Sequence, residues 1–318
     1  MPYSASSHKT AFVDRLTAGA PILLDGGLSN QLEAQGLDLN SNLWSASLLR
    51  DDPTQIVNAH RFYLQAGADC LITASYQAST AGFETIGISP DQGDESIANS
   101  VVLAQQAIDQ YRQDSTSGAP RRPLVAASIG PYGAFQADGS EYHGNYGVDD
   151  AVLAAFHAPR LRLLDSTSAD VLACETIPSL QEERVLHRLL LEIDTPAWLC
   201  FSCRDGQHVN DGSTIEACVA LFNDHPKVAA VGVNCTAPQY VNELIRRIKN
   251  AAADKAIVVY PNSGERYDPV DKSWHGTSTP QACGAAAQSW LEAGASIIGG
   301  CCRMGPDHIR AMKQQCCC

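Results

Sequence analysis

Short apolar runs ending in small or polar residues alternate along this chain with amphipathic stretches. The runs occupy residues 22–27, 70–76, 124–130, 171–176, 198–203, 231–235, 257–262 and 297–302. Near-continuous apolar strands of this kind suit a parallel sheet whose outer face is covered. Helices fit between them. Asp52-Pro53-Thr54 marks a helix start, with Ile56, Ala59, Tyr63 and Ala66 at helical spacing and Gly67 at the stop. Ser179-Leu180-Gln181-Glu182 reads as a capping box opening a Leu-rich helix. Similar strand entries recur at Ala66-Gly67-Ala68-Asp69, Ser168-Ala169-Asp170 and Ala293-Gly294-Ala295. Eight strands alternating with helices predict an α/β fold, a single-domain (β/α)8 TIM barrel. No Gly-x-Gly-x-x-Gly follows the first run, so a dinucleotide-binding open sheet has no support. The barrel is assigned to residues 15–312, with 1–14 a flexible N-terminal tail and 313–318 a Cys-rich C-terminal tail.

Composition narrows the partners. Hydrophobic residues make up 45% of the 318 and charged residues 18%, as in a well-buried globular chain. Twenty-two Lys+Arg against 35 Asp+Glu give a net charge of −13, which argues against nucleic acid and anionic membranes. No apolar run approaches the ~18 residues of a membrane helix. The Ser-rich start has no apolar segment, so no secretory signal is expected, and the twelve cysteines read as reduced thiols of a cytoplasmic protein.

In a barrel the chemistry sits at the C-terminal ends of the strands. Those ends carry Asp25, Tyr76, Glu175, Cys203, Cys235, Asn262, Cys301 and Cys302. Zinc takes soft thiolates, and catalytic zinc sites use three protein ligands with a fourth position open. The sixth and eighth strands are separated by one strand, so Cys235 can approach Cys301 and Cys302. Adjacent strand residues point to opposite faces, so both can bind one ion only if the strand ends there, a departure that Gly299-Gly300 would ease. On the residues alone these thiols are either ligands or inert buried cysteines. Cys200-Phe201-Ser202-Cys203 lies in a strand with its thiols on opposite faces, which favours filler over a redox pair. No histidine forms His-x-His or His-Glu-x-x-His, and His60 reads as a helix-surface residue. Asp25 precedes two glycines whose bare N–H groups could receive a carboxylate, or which simply make a turn. Glu175 ends an apolar strand and needs a cationic partner, from a ligand or from Arg or Lys. The loop from Gly130 to Tyr142 is long for a barrel connection and is either a lid or a solvated loop.

Taken together, several segments resemble the homocysteine S-methyltransferase family. They are Leu24-Asp25-Gly26-Gly27, Thr73-Ala74-Ser75-Tyr76-Gln77-Ala78, Gly130-Pro131-Tyr132-Gly133-Ala134, Ala137-Asp138-Gly139-Ser140-Glu141-Tyr142 and Cys174-Glu175-Thr176-Ile177-Pro178. Gly232-Val233-Asn234-Cys235, Val259-Tyr260-Pro261-Asn262-Ser263-Gly264-Glu265 and Gly299-Gly300-Cys301-Cys302-Arg303 follow in order. The resemblance implies a TIM barrel, a Zn2+ ion held by Cys235, Cys301 and Cys302, and homocysteine as methyl acceptor. It places Asp25 and Glu175 near the acceptor's ammonium and Gly26 and Gly27 N–H groups near its carboxylate. Thr73, Tyr76 and Asn262 are further substrate-binding candidates, and no catalytic group is implied beyond the zinc ligands. The Asp-Gly-Ser-Glu-Tyr and Tyr-Pro-Asn-Ser-Gly segments resemble the branch that uses S-methylmethionine, with S-adenosylmethionine a second sulfonium donor. A betaine donor would need an aromatic arrangement, for which Tyr76, Trp44 and Tyr142 are available. A non-catalytic zinc or thiol-sensing barrel is the reading from another class. Little chain follows Cys302, so a monomer is expected.

Overall fold

The computed structural model describes residues 5–37, 48–114, 121–264, 266–268, 273–275 and 279–316. Among the described residues ten strands form: β1 (Ile22–Leu23), β2 (Cys70–Ile72), β3 (Leu124–Ile129), β4 (Val171–Ile177), β5 (Ala197–Phe201), β6 (Val228–Asn234), β7 (Ala256–Tyr260), β8 (Arg266–Asp268), β9 (Ser273–His275) and β10 (Ile297–Ile298). Eight of them make one parallel sheet in the order β1-β10-β7-β6-β5-β4-β3-β2. A parallel bridge between Leu24 and Cys70 joins its two edges. The result is the eight-stranded barrel expected from the apolar runs. An antiparallel β8–β9 pair lies in the chain between β7 and the helix Pro280–Ala293, outside the eight apolar runs.

The two faces of the sheet feed two separate cores, as alternation along a strand requires. Ile22, Leu24, Leu124, Ala126, Val171, Ala173, Trp198, Cys200, Val258, Tyr260 and Ile297 fill the barrel interior. Leu23, Leu71, Val125, Leu172, Leu199, Val231, Val259 and Ile298 face outward against the helices. Where the sequence reading has a tail over residues 1–14, the chain forms a helix, Ala5–Thr17. Its Phe12 is fully buried in the interior core, with its ring 5.7 Å from that of Trp198. Arg15 donates to the Arg122 carbonyl at 2.9 Å and Lys9 pairs with Asp165 at 3.3 Å, fixing the helix across the end where the strands begin. The C-terminal residues 313–316 likewise belong to a helix, Pro306–Cys316, which buries Met312. Cys317 and Cys318 lie outside the described residues, as do Trp44 and Glu265. No helix among the described residues is long and apolar enough to cross a membrane.

Candidate functional site

At the opposite end, β6 delivers Cys235 and the chain leaving β10 delivers Cys301 and Cys302. The Cys235 sulfur lies 2.7 Å from that of Cys301 and 3.5 Å from that of Cys302, and Cys301 and Cys302 are 3.9 Å apart. None is in a disulfide. Three thiolates at about 2.3 Å from one tetrahedral ion stand about 3.8 Å apart, so two of the three separations already have that spacing. Among the described residues this is the one His/Cys/Asp/Glu group gathered tightly enough to hold an ion. The Cys235 and Cys301 thiols donate toward Cys302 and hold it well below the ordinary thiol range. A soft cation would let all three ionise together, which fits the donor set.

Strand geometry explains how neighbours in sequence share one site. Gly300 N–H still reaches the Asp25 carbonyl and Cys301 N–H the Pro261 carbonyl, and the turn then closes with Met304 N–H on the Cys301 carbonyl. The reversal falls at Arg303, which sits at φ +67°. Gly299 and Gly300, expected to ease this departure, have ordinary φ values. Their role is close approach: a Cβ would stand 2.6 Å from Leu24 Cβ at 299 and 2.7 Å from Met304 Cβ at 300.

Two more non-glycine residues with positive φ flank the site, Thr176 at +61° and Cys235 at +46°. Such conformations persist only where the surroundings enforce them. Asn234, fully buried, does so: its Oδ1 accepts from Thr176 N–H at 2.7 Å and its Nδ2 donates to Thr176 Oγ1 at 2.8 Å. One amide thus fixes the backbone beside both Glu175 and Cys235. Asn234→Ala would strand the buried Thr176 N–H, at about 1–3 kcal/mol. A thermal midpoint lowered by roughly 2–6 °C is expected in a melt; an unchanged midpoint would refute this role.

Two carboxylates stand near the thiols. Asp25 is 1% exposed; its Oδ2 accepts from Ile72 N–H at 3.0 Å, while Oδ1 has no partner. Glu175, 6% exposed, accepts from Ser128 Oγ, and within its electrostatic reach the Tyr260 hydroxyl receives Trp198 Nε1–H at 3.2 Å. Burial pushes Glu175 up to about 7 and Asp25 well above the carboxylate range, the latter raised further by Glu175. Neither meets a Lys or Arg among the described residues. The basic side chain facing Asp25 is His60, whose Nδ1 is 4.0 Å from Oδ2. His60 is not the surface residue expected: it is fully buried with both ring nitrogens unpartnered, and burial lowers it to about 4, so it is neutral. The structural Arg or Lys that would have answered the cost of Glu175 is absent among the described residues.

Other expected site residues fall behind this front. Thr73 Oγ1 meets Ser75 Oγ at 2.8 Å and accepts from Ser128 N–H at 3.0 Å, so it braces the serine that holds Glu175. Asn262 Oδ1 accepts from Gly264 N–H at 2.9 Å and shapes its own loop. Gly27 N–H donates to the Met304 carbonyl at 2.9 Å, which removes it as a receiver for a carboxylate; no such bond engages Gly26 N–H. Cys200 lies in the barrel interior and Cys203 in the outer core, on opposite faces as expected. Tyr76 packs on Gly130, with its hydroxyl within electrostatic reach of Cys235.

The long loop after β3 covers the same end. It forms a helix, Tyr132–Gln136, and a single turn, Ser140–Tyr142. Tyr142, 56% exposed, lies within electrostatic reach of Cys235, Cys302 and Cys301. Glu182 anchors the loop at both ends, accepting from Tyr132 N–H at 2.6 Å and the Tyr146 hydroxyl at 2.9 Å, with His157 Nε2 at 2.7 Å. The capping box is therefore half formed. Ser179 Oγ caps Glu182 N–H at 3.3 Å, but the Glu182 carboxylate turns to the loop instead of back to its own helix.

Comparison with known proteins agrees with this geometry. The sequence profile described as Homocysteine S-methyltransferase matches residues 22–316. Homocysteine S-methyltransferase YbgG of Bacillus subtilis (strain 168) is 46% identical over 292 residues, covering 91% of this chain and 92% of its own. Selenocysteine methyltransferase of Astragalus bisulcatus is 41% identical over 312 residues, 93% of this chain and 92% of its own. Among solved structures, the metallated form of the Escherichia coli homocysteine methyltransferase MmuM superposes with a TM-score of 0.85 at 38% identity, covering 96% of this chain and 99% of that one.

Proposed function

The chain belongs to the homocysteine S-methyltransferase family, and from that membership we propose that it moves a methyl group from S-methylmethionine to the sulfur of homocysteine, with Zn2+ at Cys235, Cys301 and Cys302. The observation that carries this reading is the convergence of three free thiols and two buried, cation-lacking carboxylates on one barrel mouth. When bound, zinc supplies a Lewis acid that keeps a coordinated thiol deprotonated at neutral pH.

The protein's own residues do the rest by placement. Glu175 and Asp25 receive the acceptor's ammonium, with Ser128 holding Glu175 in position. Gly26 N–H is the remaining backbone donor for the acceptor's carboxylate. The new bond joins the acceptor thiolate to the methyl carbon as the donor's S–C bond breaks and the electron pair stays on the donor sulfur. A thiolate and a sulfonium become two neutral thioethers, so charge vanishes on the way to the transition state. A mouth covered by the Tyr142 loop favours that loss by excluding water, and alignment supplies much of the remaining acceleration. No protein general base is called for.

The test is a donor panel with zinc-loaded protein and homocysteine. Methionine formation is expected from S-methylmethionine with a kcat/KM above those of S-adenosylmethionine and betaine. A higher value for betaine would overturn the donor assignment, and metal binding without turnover of any donor would point to a sensor.

A further inference from the structure

Beyond the acceptor site and resting on the sulfonium-donor reading above, we infer that Glu141, together with the rings of Tyr76 and Tyr142, receives the positively charged sulfur of the methyl donor. Glu141 is half-buried on the single turn Ser140–Tyr142, and its Oε2 is shut off from solvent with no hydrogen-bond partner. It stands within electrostatic reach of Cys302 and of the Tyr76 and Tyr142 hydroxyls. Asp138 adds another negative charge nearby, partly answered by His143. A further carboxylate within reach of the Cys302 thiol is costly when nothing positive lies between them. A sulfonium would supply that charge, and aromatic faces attract such a cation without needing N–H donors.

The loop is built to hold the backbone that carries this carboxylate. Gly133 packs so closely on Glu141 that a Cβ would stand 2.4 Å from its backbone nitrogen. Ser140 N–H bonds to Asp138 Oδ1 at 2.9 Å, Ser140 Oγ to Gln136 Oε1 at 3.0 Å, and Gly144 N–H to the Ser140 carbonyl at 2.9 Å. Glu141 itself takes no part in those bonds, which leaves its charge for a ligand.

Two measurements on the zinc-loaded full chain test this. The first is the S-methylmethionine KM at saturating homocysteine, and the second is calorimetric titration with trimethylsulfonium, which has neither ammonium nor carboxylate. Glu141→Gln is expected to raise the donor KM and weaken trimethylsulfonium binding by about tenfold each, with zinc content and homocysteine KM unchanged. Tyr142→Leu, which keeps the charge and removes one ring, should show a smaller loss in both; it carries the comparison alone if Glu141→Gln does not fold. Values within twofold of wild type in both variants would overturn the inference. So would lost zinc or an equal rise in homocysteine KM in Glu141→Gln, which would assign the carboxylate to the metal or acceptor side. If wild type turns over no sulfonium donor, the donor reading fails, while the trimethylsulfonium titration still decides the role of Glu141.

Discussion

Cys301→Ala is expected to lose zinc and to lower methionine formation on the order of a thousandfold, the equivalent of about 4 kcal/mol in the barrier. Cys235→Ala and Cys302→Ala should behave alike, because among the described residues three sulfurs from two separate segments form the donor set. With one removed, the remaining pair cannot complete a site that must also leave a position open for the acceptor. Cys200→Ala and Cys203→Ala are the controls. Both thiols are buried and pushed up from the ordinary thiol range by desolvation, and neither belongs to the gathered group. They should keep full metal and activity. Metal stoichiometry and turnover measured on all five proteins decide the matter. A Cys301→Ala protein with full zinc and full turnover would end the three-thiolate reading.

How much of this was legible beforehand follows from the range of the interactions. Each strand of a covered parallel barrel is apolar on both faces, so the eight runs stood out from local composition alone. The strand ends, and with them Asp25, Glu175 and the three thiols, could then be placed by fold logic. What escaped depends on contacts between distant segments. His60 stands four residues after Ile56 and three before Tyr63, on the stripe whose spacing marks it as buried, but nothing in the local pattern signals that it meets Asp25, 35 positions away. Asn234 acts on Thr176, 58 positions away, and Glu182 acts on Tyr132, 50 positions away. The N-terminal helix reads as a tail because its sequence is Ser-rich at the start and weakly amphipathic, while its fixing residue, Phe12, is set by Trp198 across the barrel. Local pattern reports burial; it does not report which buried groups meet.

Glu175→Gln should raise the homocysteine KM about 30-fold, about 2 kcal/mol, and leave zinc content unchanged. The amide keeps the shape and, through its oxygen, the hydrogen bond from Ser128 but loses the charge that would meet an ammonium. The same charge predicts a pH dependence. Burial raises Glu175 to about 7, so the free site holds a neutral carboxyl below that pH and a carboxylate above it. Attraction for an ammonium is therefore present above about 7 and is lost as pH falls through it. Asp25 is raised as well, first by burial and in part by Glu175, so one arriving ammonium relieves both groups. Homocysteine would confuse the measurement, because its own thiol titrates. L-Methionine has the same ammonium and carboxylate without a thiol, and its dissociation constant isolates the effect. It should weaken by up to about tenfold for each pH unit below 7, the slope of one required deprotonation. In Glu175→Gln that slope should flatten, Asp25 supplying what dependence is left. Methionine binding that stayed constant from pH 6 to 8 in the wild-type protein would remove Glu175 from ammonium recognition, whatever the variant's KM.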